Sequence, residues 1–83
     1  MKNILVTGGT GYIGSHTALA LREAGYQPIL LDNLDNSELF VLDSLEKISG
    51  VKFPFFEGDC RDSEIYSKIH ELYPFDSIIH FAA

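Results

Sequence analysis

The stretch Asn3-Ile4-Leu5-Val6-Thr7-Gly8-Gly9-Thr10-Gly11-Tyr12-Ile13-Gly14 decides the fold. Ile4 to Val6 is an apolar run of strand length, bounded by glycine. Glycines then recur at Gly8, Gly11 and Gly14, with Gly9 as an extra, and the pattern beyond Gly14 turns helical. By spacing alone, Gly-x-x-Gly-x-x-Gly marks only a glycine-rich turn ahead of a helix. Its place directly after a first strand is the context that dinucleotide binding requires. Each glycine has a task there. Gly8 turns the chain at the strand end, Gly11 has no Cβ to hold a phosphate away from the backbone, and Gly14 lets the helix approach the sheet. The helix start then presents unpaired N–H groups and a positive dipole end to the anion.

The rest of the chain repeats strand and helix. The pattern predicts strand 1 over Asn3–Thr7, helix 1 over 11–24, strand 2 over 28–31, helix 2 over 38–49, strand 3 over 51–56, a third helix after Asp62 to Leu72, and strand 4 over 77–81. Helix 1 is expected to bury Ile13, Thr17, Ala20, Leu21 and Ala24; helix 2, Val41, Leu45 and Ile48; helix 3, Ile65, Ile69 and Leu72. Gly25 and Gly50 stand where helix C-termini favour glycine, and Asp62 is a good N-cap. Pro54 inside strand 3 argues for an edge position. Alternating strands and helices predict an α/β fold, a Rossmann-type parallel sheet in the order 3-2-1-4 with flanking helices, the first half of a doubly wound fold.

Composition narrows the function. The chain has 83 residues, 12 acidic against 6 basic, and a net charge of −6. It lacks a basic cluster, which argues against nucleic acid. It also lacks the roughly 18-residue apolar run of a membrane span. No signal peptide is visible, and a lone Cys60 excludes an internal disulfide, so a reducing, cytoplasmic setting is expected. One domain at most is expected, and with no further strand after Ala82-Ala83 residues 1–83 read as the opening part of a larger dinucleotide-binding domain.

Two aspartates follow strands at the edge where such sheets bind ligands. Asp32 ends strand 2, 18 residues after Gly14, where a carboxylate accepts from ribose hydroxyls and repels a 2′-phosphate. The nearest basic residues in sequence are Arg22 and Lys47, which favours NAD over NADP. Asp59, after strand 3, is placed to accept from the adenine amino group, although Gly58-Asp59 is also ordinary turn chemistry. Cys60 reads as a small packed side chain. His16, His70 and His80 match no metal spacing. No Tyr-x-x-x-Lys pair exists: Tyr12, Tyr26, Tyr66 and Tyr73 are followed four residues on by His16, Leu30, His70 and Ser77. No catalytic residue is therefore assigned.

Val6 to Thr17, Leu31-Asp32-Asn33-Leu34 with Asn36-Ser37, Glu57-Gly58-Asp59 with Arg61-Asp62, and Ile79-His80-Phe81-Ala82-Ala83 together resemble the start of the UDP-glucose 4-epimerases, which are short-chain dehydrogenase/reductase relatives. The resemblance implies bound NAD, with Gly8, Gly11, Tyr12, Ile13 and Gly14 at the pyrophosphate and Asp32 on the ribose. It implies that Asn33, Leu34, Asp35, Asn36 and Ser37 line the adenosine, that Asp59 and the Cys60 backbone meet the adenine, and that Phe81, Ala82 and Ala83 pass the nicotinamide-side ribose. Asp35 and Cys60 depart from the residues usual in that family. A homodimeric parent acting on a UDP-sugar in galactose metabolism is implied, its catalytic and sugar-binding parts being absent here. The N-terminal part of another nucleotide-sugar dehydratase or decarboxylase, or a stand-alone nucleotide-binding module, is the alternative.

Overall fold

The structure, a computed structural model, describes residues 1–8, 12–33 and 40–81. Its elements are β1 (Asn3–Thr7), α1 (Tyr12–Glu23), β2 (Gln27–Asp32), α2 (Phe40–Ser49), β3 (Phe55–Glu57), α3 (Ser63–Leu72) and β4 (Phe75–His80). The sheet runs β3-β2-β1-β4 with every pairing parallel, the expected order.

Alternation along the two central strands divides the core into two layers. Val6 and Leu30 point to one face, where Ala18, Leu45 and Phe53 complete a buried cluster under α1 and α2. Leu5, Ile29 and Leu31 point to the other, where Ile69 of α3 covers them. The helices therefore lie on both faces, which is why β2 reads as a continuous apolar run.

Local signals end the helices as expected. Tyr26 N–H donates to the Leu21 carbonyl at 2.9 Å and Gly25 N–H to that of Arg22 at 3.1 Å. This paired closure needs a left-handed residue, and Gly25 supplies φ of 93°. The Asp62 carboxylate accepts from the Glu64 N–H at 3.0 Å and caps α3.

The helix faces differ from expectation. In α1 the buried residues are Gly14 and Ala18, with Thr17 and Leu21 half-buried; Ala20 and Ala24 are exposed, and Ile13 is 62% exposed. A helix lying close on a sheet puts its smallest residues underneath, and ranking by hydrophobicity misses that. Ile48 and Leu72 are likewise exposed, each in the last turn of its helix. Val51 and Tyr73, three and one residues further on, pack on the core in their place, Tyr73 edge-on to Phe56 with centroids 6.1 Å apart.

Strand limits also shift. β3 is shorter than expected, and Pro54 lies just before it, its carbonyl accepting from Leu30 N–H at 2.9 Å. β2 begins at Gln27 and takes in the buried Pro28. Gln27 N–H donates toward β1 and Leu30 N–H toward β3, so the Pro28 nitrogen faces the β3 side, where pairing begins only at Leu30. The missing donor therefore costs no ladder bond. β4 ends at His80 and begins at Phe75, two residues before the expected start, with Asp76 as an extra residue between the pairs Asn3–Phe75 and Ile4–Ser77.

Candidate functional site

The order β3-β2-β1-β4 reverses direction between β1 and β4, and a crevice opens at the carboxyl ends of strands at such a switch point. The elements that reach this edge are joined by a row of backbone hydrogen bonds. Phe81 N–H donates to Thr7 O at 2.9 Å, Gly8 N–H to Leu31 O at 2.7 Å, and Gly58 N–H to Asp32 O at 3.1 Å. The expected site residues Phe81, Gly8 and Asp32 are thus brought onto one ledge, with Asp59 next to Gly58.

At the switch point the backbone turns at Gly8, whose φ of 74° is one that side chains disfavour. Thr7 before it is wholly buried, and its Oγ1 shares a 2.6 Å hydrogen bond with His80 Nδ1, the direction following the imidazole tautomer. The bond ties the carboxyl ends of β1 and β4 together. Tyr12 and Ile13 open α1, and Gly14, in its first turn, is buried. Asn33 follows β2 and is exposed. Gly11, Leu34, Asp35, Asn36, Ser37, Ala82 and Ala83 lie outside the described residues.

The β3 end carries a second constellation. Arg61 donates from its backbone N–H and its Nε to Asp59 Oδ1, at 2.9 and 3.1 Å, and from Nη2 to Oδ2 at 2.9 Å. These bonds hold the Asp59 carboxyl well below its ordinary 3.8, at about 2, the side-chain bonds foremost. Tyr66 Oη donates to the Cys60 carbonyl at 2.5 Å, and partial burial foremost pushes its phenol above the ordinary value. Space at Gly58 is tight: a Cβ there would meet Ile65 Cδ1 at 3.3 Å, and Ile65 would have to give by a few tenths of an ångström. Sequence reading missed the Thr7–His80 bond and the Arg61 fork. Of the fork, the sequence shows only the Asp-x-Arg spacing.

A groove lined by Leu42, Glu46, Phe53, Pro54 and Tyr73 lies beside the start of β3. It is away from the carboxyl edge, where ligands of parallel sheets bind, and is not the candidate site. Among the described residues no helix is long and apolar enough to cross a membrane.

Comparison with known proteins agrees with this geometry. The chain is 54% identical over 82 residues to the UDP-glucose 4-epimerase of Neisseria meningitidis serogroup A, covering 99% of this chain and 24% of that protein. A crystal structure of UDP-glucose-4-epimerase from Stenotrophomonas maltophila, with bound NAD and formylated UDP-arabinopyranose, superimposes with a TM-score of 0.95 at 36% identity, over 100% of this chain and 25% of that one. The dTDP-glucose 4,6-dehydratase of Bacillus anthracis, in complex with NAD, superimposes with a TM-score of 0.85 at 28% identity, over 100% and 27%. The chain thus spans about a quarter of the length of these relatives. The family model described as GDP-mannose 4,6 dehydratase matches residues 5–83, and the chain belongs to that family.

Proposed function

We propose that this chain is the NAD-binding part of a UDP-glucose 4-epimerase. The observation that carries the reading is the ledge at the switch point, where the Gly8 turn, Asp32 and the Gly58-Asp59 corner come together. NAD fits these residues. The Gly8 turn and the start of α1 would take the pyrophosphate, with Gly11, Tyr12, Ile13 and Gly14. Asp32 would accept from the ribose hydroxyls, with Asn33, Leu34, Asp35, Asn36 and Ser37 along the adenosine. Asp59 and the Cys60 backbone would meet the adenine, and Phe81, Ala82 and Ala83 the other ribose. What the cofactor supplies when bound is reversible acceptance of a hydride.

In the whole protein, the chemistry would be removal of a hydride from a UDP-sugar and its return to the opposite face, which interconverts UDP-glucose and UDP-galactose. That protein would be a cytoplasmic homodimer of galactose metabolism. This chain contributes binding only, since no Tyr-x-x-x-Lys pair is present in it. Among the solved structures the identity to the epimerase, 36%, exceeds the 28% to the dehydratase, which favours an epimerase over a dehydratase.

The test is a calorimetric titration of a chimera in which residues 1–83 replace the matching quarter of the Neisseria meningitidis enzyme. NAD should bind, NADP should bind at least about tenfold more weakly because Asp32 repels the 2′-phosphate, and Gly11→Val should abolish binding. No binding of NAD, or equal binding of both cofactors, would overturn the reading.

A further inference from the structure

Arg61 carries an inference that rests on the NAD reading above. A carboxylate offers about four acceptor positions. On Asp59, Oδ1 is filled by the backbone N–H and Nε of Arg61, and Oδ2 receives Nη2, with only a long 3.3 Å approach from Nε. Among the described residues, the second acceptor position on Oδ2 is met only by that long approach. The Asp59 side chain is 45% exposed, and without the side-chain fork only the Arg61 backbone N–H, on Oδ1, would still hold its carboxylate, leaving it free to rotate about that one bond.

The corner's backbone is held by other contacts. Tyr66 Oη anchors the Cys60 carbonyl, and Asp62 N–H donates to the Asp59 carbonyl at 2.9 Å while its carboxylate caps α3. The Arg61 side chain is 86% exposed and buries little. Its side-chain bonds to Asp59 fix the orientation of that one carboxylate.

We propose that Arg61 is a positioning residue: it aims the Asp59 carboxylate so that the site selects an adenine dinucleotide over its 6-oxopurine counterpart. The exocyclic amino group of adenine donates to the remaining acceptor position. A 6-oxo group there is itself an acceptor, and a carboxylate held in place repels it. A carboxylate held only by the backbone bond on Oδ1 could rotate Oδ2 aside and accept both. Arginine suits the task because its planar fork fixes two oxygens, which the single ammonium of lysine does not.

The experiment compares NAD with nicotinamide hypoxanthine dinucleotide in the chimera described above, by calorimetry, for the parent, Arg61→Met, Arg61→Lys and Asp59→Asn. The parent should favour NAD by roughly 10- to 100-fold, the span of one hydrogen bond to a charged group, and Arg61→Met should bring that ratio below about threefold. Arg61→Lys should restore only part of the ratio. A second readout is the carboxylate ¹³C titration of Asp59, whose midpoint should rise from about 2 toward 3.8 in Arg61→Met.

An unchanged ratio in Arg61→Met, equal losses for both cofactors, or an unmoved Asp59 midpoint would overturn the inference. A ratio lost in Asp59→Asn but kept in Arg61→Met would sink the role of Arg61 while leaving the adenine reading of Asp59 intact. A ratio kept in Asp59→Asn would remove that adenine reading and the inference with it.

Discussion

β2 and β4 are both six-residue strands with an apolar stretch and a polar residue at each end or close to it. Their burial is opposite. Ile29, Leu30 and Leu31 of β2 have no exposure at all, whereas Ile78 of β4 is 49% exposed. β2 has a strand on either side and helices on both faces. β4 pairs with β1 alone among the described residues. Burial here follows a strand's rank in the sheet rather than its composition. The carboxyl ends of the two strands follow the same division: Asp32 joins the β3 corner, while His80 reaches back to the buried Thr7.

The largest predicted effect tests this ranking directly. Leu30→Ala should cost about 2–5 kcal/mol, enough in a small domain to abolish a cooperative transition. Ile78→Ala should cost about 1 kcal/mol or less, since that side chain is already half in water. Denaturant midpoints at unchanged slope would measure both, and equal costs would break the comparison. Next in size is Asp32→Ala, which should weaken NAD binding by about 1.5–3 kcal/mol and narrow the preference over NADP. If NAD and NADP lose equally, Asp32 is not on the ribose.

A smaller effect concerns the strap between β1 and β4. Thr7→Val keeps the volume but removes the hydroxyl bonded to His80, at a cost of about 1 kcal/mol. It should also speed hydrogen exchange at the Phe81 amide, which donates to Thr7 O, while leaving β2 amides as slow as before. Unaltered exchange at Phe81 would show that the side-chain bond does not hold the end of β4. The smallest effect is on pH dependence. The folded-state value of Asp59 is depressed, so the contribution of its pair with Arg61 is present above the ordinary carboxylate value and is lost as pH falls from about 4 toward 2. An Asp59 resonance titrating near 3.8 in the folded chain would contradict this.

Much of the fold is legible in the sequence alone, because its signals are local. The apolar run Ile4 to Val6 followed by spaced glycines, the glycine after α1, the Asp62 cap and the proline near β3 each act through neighbours a few residues away. The sheet order followed from alternation and right-handed crossovers, and the site's address at the carboxyl edge followed from the order.

Other features were decided only by the tertiary structure. Periodicity found an apolar stripe on each helix but in α1 chose the exposed Ile13 over Gly14 and Ala18, because close packing on a sheet selects small size as well as hydrophobicity; Ile48 and Leu72, in the last turns of α2 and α3, give way to Val51 and Tyr73 beyond the helix ends. Pro28 is tolerated in a central strand only because β3 starts too late to need its missing donor. Thr7 and His80 meet across 73 residues of sequence, and no local pattern encodes such a contact. By itself the sequence determined the elements, the turn chemistry and the family. Which apolar face is covered, and which polar groups meet, was decided by packing, because both depend on residues far apart in the chain.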